Sequence, residues 1–274
     1  MFGAVIGDYV GSRYEWYNHK SKDFEFFNKN CRFTDDSMMT LAVASALLEC
    51  KGNYDELSDK VIKSMQEIGR RYPDCGFGGK FFEWIMTDNP KPYNSWGNGS
   101  AMRVSFCGWI GKSIDEVEKL SYEVSKVSHN HPEGLKGAEA VAVAIYLAKS
   151  GKSKNEIKDY IEKNYYKLDF TLDEIRNDYE FDVSCQGSVP EALEAFFESN
   201  DFEDAIRNAI SIGGDSDTIG AITGSIADAY YYRLNIIVEK DGWKLSNPYD
   251  FEIINRMDEY LKNKSYSILN GYLE

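Results

Sequence analysis

Apolar residues recur at three- and four-residue spacing from Thr34 almost to the end of the chain, which is the period of helices. The spacing predicts helices over 35–49, 54–71, 101–110, 113–127, 138–149, 153–164, 188–199, 201–212, 219–231 and 248–262, with a short one through Phe81, Trp84 and Ile85. Two of these, 35–49 and 219–231, are apolar on nearly every face, so both belong in the interior. Before Thr34 the pattern differs. Gly3, Gly7 and Gly11 are spaced by four, so a helix there presents a small-residue face for close packing. Residues 17–33, 72–79, 88–93 and 165–187 lack a period and read as loops, with 17–33 long enough for a lid or binding segment. Residues 234–243 stay open between helix and a single hairpin. No internal repeat or linker divides the chain. The expectation is one compact all-α domain over residues 1–274, an orthogonal bundle of about a dozen helices.

Each all-round apolar helix is preceded by a polar cluster. Gly213-Gly214-Asp215-Ser216-Asp217-Thr218 opens one and Thr34-Asp35-Asp36-Ser37 the other. Such clusters serve as N-caps with acidic first turns, which suit the helix dipole, and Asp217 or Thr218 is a cap candidate. Two of them on interior helices imply more, because a cap on a buried helix turns its polar end toward a cleft. Four carboxylates sharing a cleft repel one another unless cations neutralise them, and two divalent ions balance four negative charges. Ligands that are all oxygen suit Mg²⁺, Mn²⁺ or Ca²⁺ rather than zinc.

Composition narrows the setting. With 274 residues, 43% of them hydrophobic, the chain can bury a large core. A net charge of −14 with no basic stripe argues against a nucleic-acid partner. No apolar run reaches membrane length and the first residues do not resemble a signal peptide. Five scattered cysteines without a C-x-x-C pair fit a reducing, cytoplasmic setting.

Three further segments carry candidate chemistry. Glu15 ends the glycine-spaced stretch and reads either as a surface carboxylate or as part of a site. Gly97-Asn98-Gly99-Ser100-Ala101-Met102-Arg103 is a small-residue turn that an anion or sugar can approach, with Arg103 as a candidate phosphate or carboxylate ligand or a plain salt-bridge partner. In Ser128-His129-Asn130-His131-Pro132, Pro132 suits the first position of a helix capped by Asn130 or His131. The H-x-H pair lacks a third zinc ligand, and His129 is either ligand-facing or a core residue.

Taken in order, Gly7-Asp8 to Glu15, Phe33 to Ser37, Gly97 to Arg103, Ser128-His129 with Gly137-Ala138, Cys185-Gln186-Gly187-Ser188-Val189-Pro190-Glu191-Ala192 and Gly213 to Thr218 resemble the ADP-ribosylglycohydrolase family nearly end to end. The resemblance implies an all-α fold with two Mg²⁺ or Mn²⁺ ions in a central cleft. It implies Thr34, Asp35, Asp36, Asp215, Asp217 and Thr218 as metal ligands. Glu15, Asp36 and Asp217 then take part in catalysis. Gly97, Asn98, Gly99, Ser100, Met102, Arg103, His129, Gly213 and Gly214 hold the substrate. The implied reaction is hydrolysis of the bond between ADP-ribose and an acceptor such as a protein side chain, releasing free ADP-ribose. The alternative is a family member that binds ADP-ribose or metal without catalysis. One departure is visible: a proline that often follows the arginine of the G-N-G-x-A-M-R segment is replaced by Val104-Ser105-Phe106, from which altered helix packing is expected.

Overall fold

The computed structural model describes residues 2–231 and, beyond them, only 237–239, 242–244, 253, 255–257 and 259. Its twelve α-helices among the described residues make an all-α bundle around one continuous core. The axis of the bundle is α12 (Ser216–Tyr231), whose residues from Ser216 to Ala229 are all buried. Against it runs α1 (Phe2–Gly11), likewise buried from Gly3 onward. The two touch backbone to backbone. A Cβ on Gly7 would lie 1.9 Å from the Gly220 carbonyl oxygen, and one on Gly3 or Gly11 would lie 2.2 Å from the carbonyl oxygens of Gly224 and Ser216. Only hydrogen side chains permit that approach, so the four-residue glycine spacing is the seam of the fold. The partners run in opposite order, Gly3 with Gly224 and Gly11 with Ser216. The C-terminal end of α1 therefore lies beside the N-terminal end of α12.

The other helices cover this pair. Helices α2 (Asp35–Glu49), α7 (Pro132–Lys149), α10 (Val189–Phe197) and α11 (Phe202–Ser211) pack directly on α12. Amphipathic α3 (Leu57–Arg71), α6 (Ile114–Ser125) and α8 (Lys154–Asn164) lie outside, each with a buried stripe such as Leu57, Val61 and Met65. Capping follows the sequence. Ser113, Ser153 and Asp201 accept from the third amide of their helices, and Ser153 forms a full capping box with Glu156. His131 caps α7 through Nδ1, which accepts from the Glu133 amide at 3.1 Å, and Pro132 takes the first helical position.

Several expected boundaries move: α7 starts at Pro132 rather than Ala138, α3 at Leu57 rather than Tyr54, and two shifts bear on the site. The helix expected over 101–110 starts only at Ser105, as α5 (Ser105–Ile110), and is preceded by a 3-10 turn at Asn98–Ser100. Four buried residues, Ala101, Met102, Arg103 and Val104, occupy the interval, so tertiary contacts rather than helical hydrogen bonds set its course. The helix expected from Ile219 begins three residues earlier, at Ser216, with the Asp215 carbonyl accepting from the Ile219 amide at 2.9 Å. Asp215 is thus the cap position, and Asp217 and Thr218 lie inside the first turn. Short helices α4 (Gly79–Met86) and α9 (Leu172–Ile175) complete the set. In and beside the 234–243 stretch, the described residues pair as strands, β1 (Ile237–Glu239) antiparallel to β2 (Gly242–Lys244) with Val238 opposite Trp243, and the rest of that stretch lies outside the described residues. Most of the helix expected over 248–262 lies outside the described residues, although Ile253 and Met257 are helical and buried. All five cysteines are free and buried, and no helix among the described residues is long and apolar enough to cross a membrane.

Candidate active site

The seam between α1 and α12 delivers acidic groups from three parts of the chain to one place. Thr34 is the N-cap of α2, its hydroxyl accepting from the Asp36 amide at 3.3 Å. That turn is held from behind by Asp8, in the middle of α1. Asp8 accepts from the Thr34 amide at 3.0 Å, the Thr34 hydroxyl at 2.7 Å, the Ser37 amide at 3.1 Å and the Ser37 hydroxyl. A carboxylate on one helix thereby satisfies donors that the start of another leaves unpaired. Sequence reasoning assigned Asp8 no role in the site. A single acid amid Ala4, Val5, Ile6 and Val10 was the signal available.

Across the seam, Gly213 and Gly214 adopt left-handed conformations at φ 73° and 70°. There is also no room for a side chain: a Cβ on Gly213 would lie 2.1 Å from Asn18 Oδ1, and one on Gly214 2.4 Å from the Tyr179 ring. Asn18 Oδ1 accepts from the Gly214 amide at 3.0 Å and Lys20 donates to the carbonyls of Tyr179 and Ile212. This packing fixes the turn that presents Asp215 and Asp217. Carboxylate oxygens of Glu15, Asp215 and Asp217 all lie within 4.8 Å of one another. Glu15 comes from the turn after α1, half-buried, with Arg32 at 3.3 Å on its outer side. The next residue, Trp16, stacks on Phe181 at 5.1 Å, joining this turn to the 176–187 segment.

The electrostatics of this gathering are unfavourable by themselves. Burial, then the Asp217 charge, pushes the Glu15 carboxyl up to about 8. Burial and neighbouring carboxylates raise Asp35, Asp36 and Asp217 well above the carboxylate range, and burial lifts Asp8 and Asp215 to about 6. Hydrogen bonds relieve part of this for Asp8, and for Asp215 through Asn98, whose amide nitrogen donates to Oδ2 at 2.7 Å. Asp36 Oδ1, however, is buried without a hydrogen-bond partner among the described residues. A ring of hard oxygen donors with a buried, unpartnered carboxylate oxygen fits divalent cations of the Mg²⁺ and Mn²⁺ type.

The Gly97–Arg103 segment lies alongside and divides into two layers. Gly97 and Gly99 are partly exposed, and Gly97 bridges to Ser184. Asn98, Ser100, Met102 and Arg103 are buried. Ser100 Oγ donates to the Gly134 carbonyl at 2.7 Å, and the Met102 carbonyl accepts from Thr40. Arg103 corrects an expectation. It is fully buried, lies over the Phe81 ring at 5.4 Å and donates to Ser128 Oγ at 2.8 Å, so it does not reach the cleft as an anion ligand. Spacing within a glycine-rich turn suggested exposure, but the irregular 101–104 stretch turns the side chain inward. His129 is buried beside the same turn; a Cβ on Gly99 would lie 3.3 Å from its Nε2. A shallow cavity of about 420 Å³ opens next to it, lined by Trp96, His131, Asp182, Ser184 and Gln186.

An all-α bundle with a polycarboxylate pocket at the meeting of two glycine-packed helices and a glycine turn beside it defines a narrow class. The sequence profile of that class, ADP-ribosylglycohydrolase, matches residues 1–236, and the chain belongs to the ADP-ribosylglycohydrolase family. Among curated relatives it is similar to the human ADP-ribosylhydrolase ARH3, at 26% identity over 84% of each chain. It is also similar to the ADP-ribosylarginine hydrolase Tri1 of Pseudomonas putida (strain GB-1), at 24% identity over 84% of this chain and 69% of Tri1. A solved structure described as an ADP-ribosylglycohydrolase-related protein complex shares the fold, with a TM-score of 0.65 and 23% identity over 86% of this chain and 87% of that one.

Proposed function

We propose that the protein is a metal-dependent hydrolase that cleaves the N- or O-glycosidic bond between ADP-ribose and an acceptor, such as an arginine side chain, releasing free ADP-ribose. The observation that carries this reading is the convergence of Glu15, Asp215 and Asp217 within 4.8 Å, facing the Thr34–Asp36 turn. Thr34, Asp35 and Asp36 on one side, and Asp215, Asp217 and Thr218 on the other, are the residues to hold one or two Mg²⁺ or Mn²⁺ ions. When bound, such ions orient hydroxyls, acidify water and offset developing negative charge.

The chain's own residues supply the rest. Glycosidic cleavage passes through an oxocarbenium-like state and needs a proton for the leaving atom and a deprotonated water. Glu15 is the candidate to move that proton, or to position the water or metal. Its carboxyl lies on the open side of the pocket, while Arg32 and Asp217 push its proton affinity in opposite directions. Asn98 orients Asp215 and links it to Ser188, to which the same amide nitrogen donates at 3.0 Å. Gly97 and Gly99 offer a backbone surface without side chains for the substrate to lie against, whereas the amides of Gly213 and Gly214 are taken by the Ile210 carbonyl and Asn18 Oδ1, so that turn serves the site by presenting Asp215 and Asp217 rather than by binding substrate.

Release of free ADP-ribose from ADP-ribosyl-arginine protein, ADP-ribosyl-serine peptide and ADP-ribosylated nucleic acid, each with Mg²⁺, Mn²⁺ or EDTA, tests the proposal. Metal-dependent release from one member that disappears in Asp217→Ala supports it. Release that persists in that variant would sink it.

A further inference from the structure

The buried side chains of Arg103, Ser128 and His129 form a line of hydrogen bonds whose direction is determined by chemistry. A guanidinium has only donors. Arg103 Nη2, 2.8 Å from Ser128 Oγ, must therefore donate to it. Ser128 Oγ lies 2.8 Å from His129 Nδ1. The serine oxygen could accept a second time, but Ser128 is fully buried and its Oγ has no further partner among the described residues, so its own proton is satisfied only if it points at Nδ1. Nδ1 is then the acceptor, and the ring proton resides on Nε2. Nδ1 carries the only hydrogen bond of the ring among the described residues.

The surroundings hold that arrangement in place. Arg103, Ser128 and His129 are 0%, 0% and 4% exposed. The His129 amide donates to the Ser125 carbonyl at 2.9 Å. Phe81 and Tyr93 approach the imidazole at 6.2 and 5.9 Å. Phe81 also lies under the guanidinium. Nε2 points to the Gly97–Gly99 turn, where the added Cβ of either glycine would sit 3.7 or 3.3 Å from it. These glycines keep the space in front of Nε2 clear of side chains. Burial and the nearby guanidinium also oppose a second proton on the ring.

We infer that Arg103 and Ser128 are positioning residues that hold His129 as the neutral Nε2–H tautomer, so that the ring presents a hydrogen-bond donor to an oxygen of the ligand lying against the Gly97–Gly99 turn. The tautomer assignment stands on the hydrogen-bond geometry alone. The ligand part rests on the proposed ADP-ribosyl chemistry, whose ribose and diphosphate groups supply acceptor oxygens. Arg103 thus contributes to binding at second hand, through the proton it forces onto the far side of the histidine.

The chain has three histidines, so the ¹⁵N spectrum of the histidine-labelled protein can be assigned with His19→Gln and His131→Gln variants. The expected result is a neutral His129 with the proton on Nε2. An Nδ1–H tautomer or an imidazolium at pH 7 overturns the relay whatever the protein's substrate. Ser128→Ala should shift the Nδ1 resonance and weaken ADP-ribose binding about tenfold, the equivalent of one hydrogen bond. Ser128→Thr, which keeps the hydroxyl, should restore both. If calorimetry shows ADP-ribose bound while the Nε2–H resonance does not move, the donor role falls and the proposed function stands. If ADP-ribose does not bind at all, the proposed function falls, and the tautomer measurement still decides the relay.

Discussion

Asp8 accepts from both the amide and the hydroxyl of Thr34, at 3.0 and 2.7 Å, so one carboxylate inside α1 sets the turn that begins α2. Removing it leaves the amides of Thr34 and Ser37 buried without partners. Asp8→Ala is expected to cost on the order of 2–4 kcal/mol of stability and to weaken Mn²⁺ binding, because the Thr34–Asp36 turn loses its support. Urea unfolding and a Mn²⁺ calorimetric titration read the two effects separately. A variant with unchanged stability and unchanged metal affinity would refute this role.

The glycine seam is similarly exposed to test. Gly7→Ala puts a methyl group 1.9 Å from the Gly220 carbonyl oxygen, where only backbone movement can make room. Loss of about 3 kcal/mol or failure to fold is expected. Gly79→Ala, in the first turn of α4 with nothing within 4 Å, serves as the control and should be neutral or stabilising by up to ~1 kcal/mol. Equal midpoints for the two variants would show that the seam is looser than described.

Metal removal should reveal the repulsion within the pocket. Saturating Mn²⁺ or Mg²⁺ at about a hundred times Kd stabilises a protein by about 2.7 kcal/mol relative to EDTA. For Asp217→Asn the order is expected to reverse. In EDTA it should match or exceed the wild-type melting temperature, since one of the crowded carboxylates is gone, and in Mn²⁺ it should fall below it. Parallel behaviour of the two proteins in both buffers would speak against a cation between these carboxylates.

Glu191, in the first turn of α10, gives a pH signature away from the pocket. Its carboxyl is largely buried, its Oε2 lacks a partner among the described residues, and burial pushes it up to about 7 from an ordinary 4.5. Between those values the folded protein binds more protons than the unfolded chain, so this group lowers stability as pH rises from 4.5 to 7. Glu191→Gln removes the penalty. It should stabilise the protein at pH 8 by up to about 3 kcal/mol and by little at pH 4.5. A difference that is independent of pH would contradict the assignment.

Much of this was legible before any coordinates. Helical periodicity located α2, α3, α6 and α8 within a few residues, and the Gly3-Gly7-Gly11 spacing announced a close-packed face without naming its partner. The Thr34–Asp36 and Asp215–Thr218 clusters were readable because each interrupts an apolar context with several oxygens at once. Asp8 was not, because a lone buried acid is indistinguishable in sequence from a helix-surface one until the helix it caps is known. Arg103 was misplaced for the converse reason. A glycine-rich turn suggests an exposed side chain, whereas the turn here sends its arginine under Phe81 and toward Ser128. Which way a turn sends its side chains depends on contacts from Phe81 in α4 and Ser128 just after α6, residues on other elements whose packing the local pattern does not reveal.

The antiparallel pairing of α1 with α12 also dictates when the site can come into being. Gly3 meets Gly224 and Gly11 meets Ser216, so during synthesis α1 must wait for more than two hundred further residues before its partner exists. Until then its glycine face is unfilled, and Asp8 and Glu15 have no Asp217 to meet. Contacts that span so much of the chain are closed late and slowly. Intermediate helices can condense around α2 and α7 beforehand, whereas the acidic pocket needs both ends of the chain. Catalytic competence would then report that folding has finished, and partly synthesised chains would not display the crowded carboxylates.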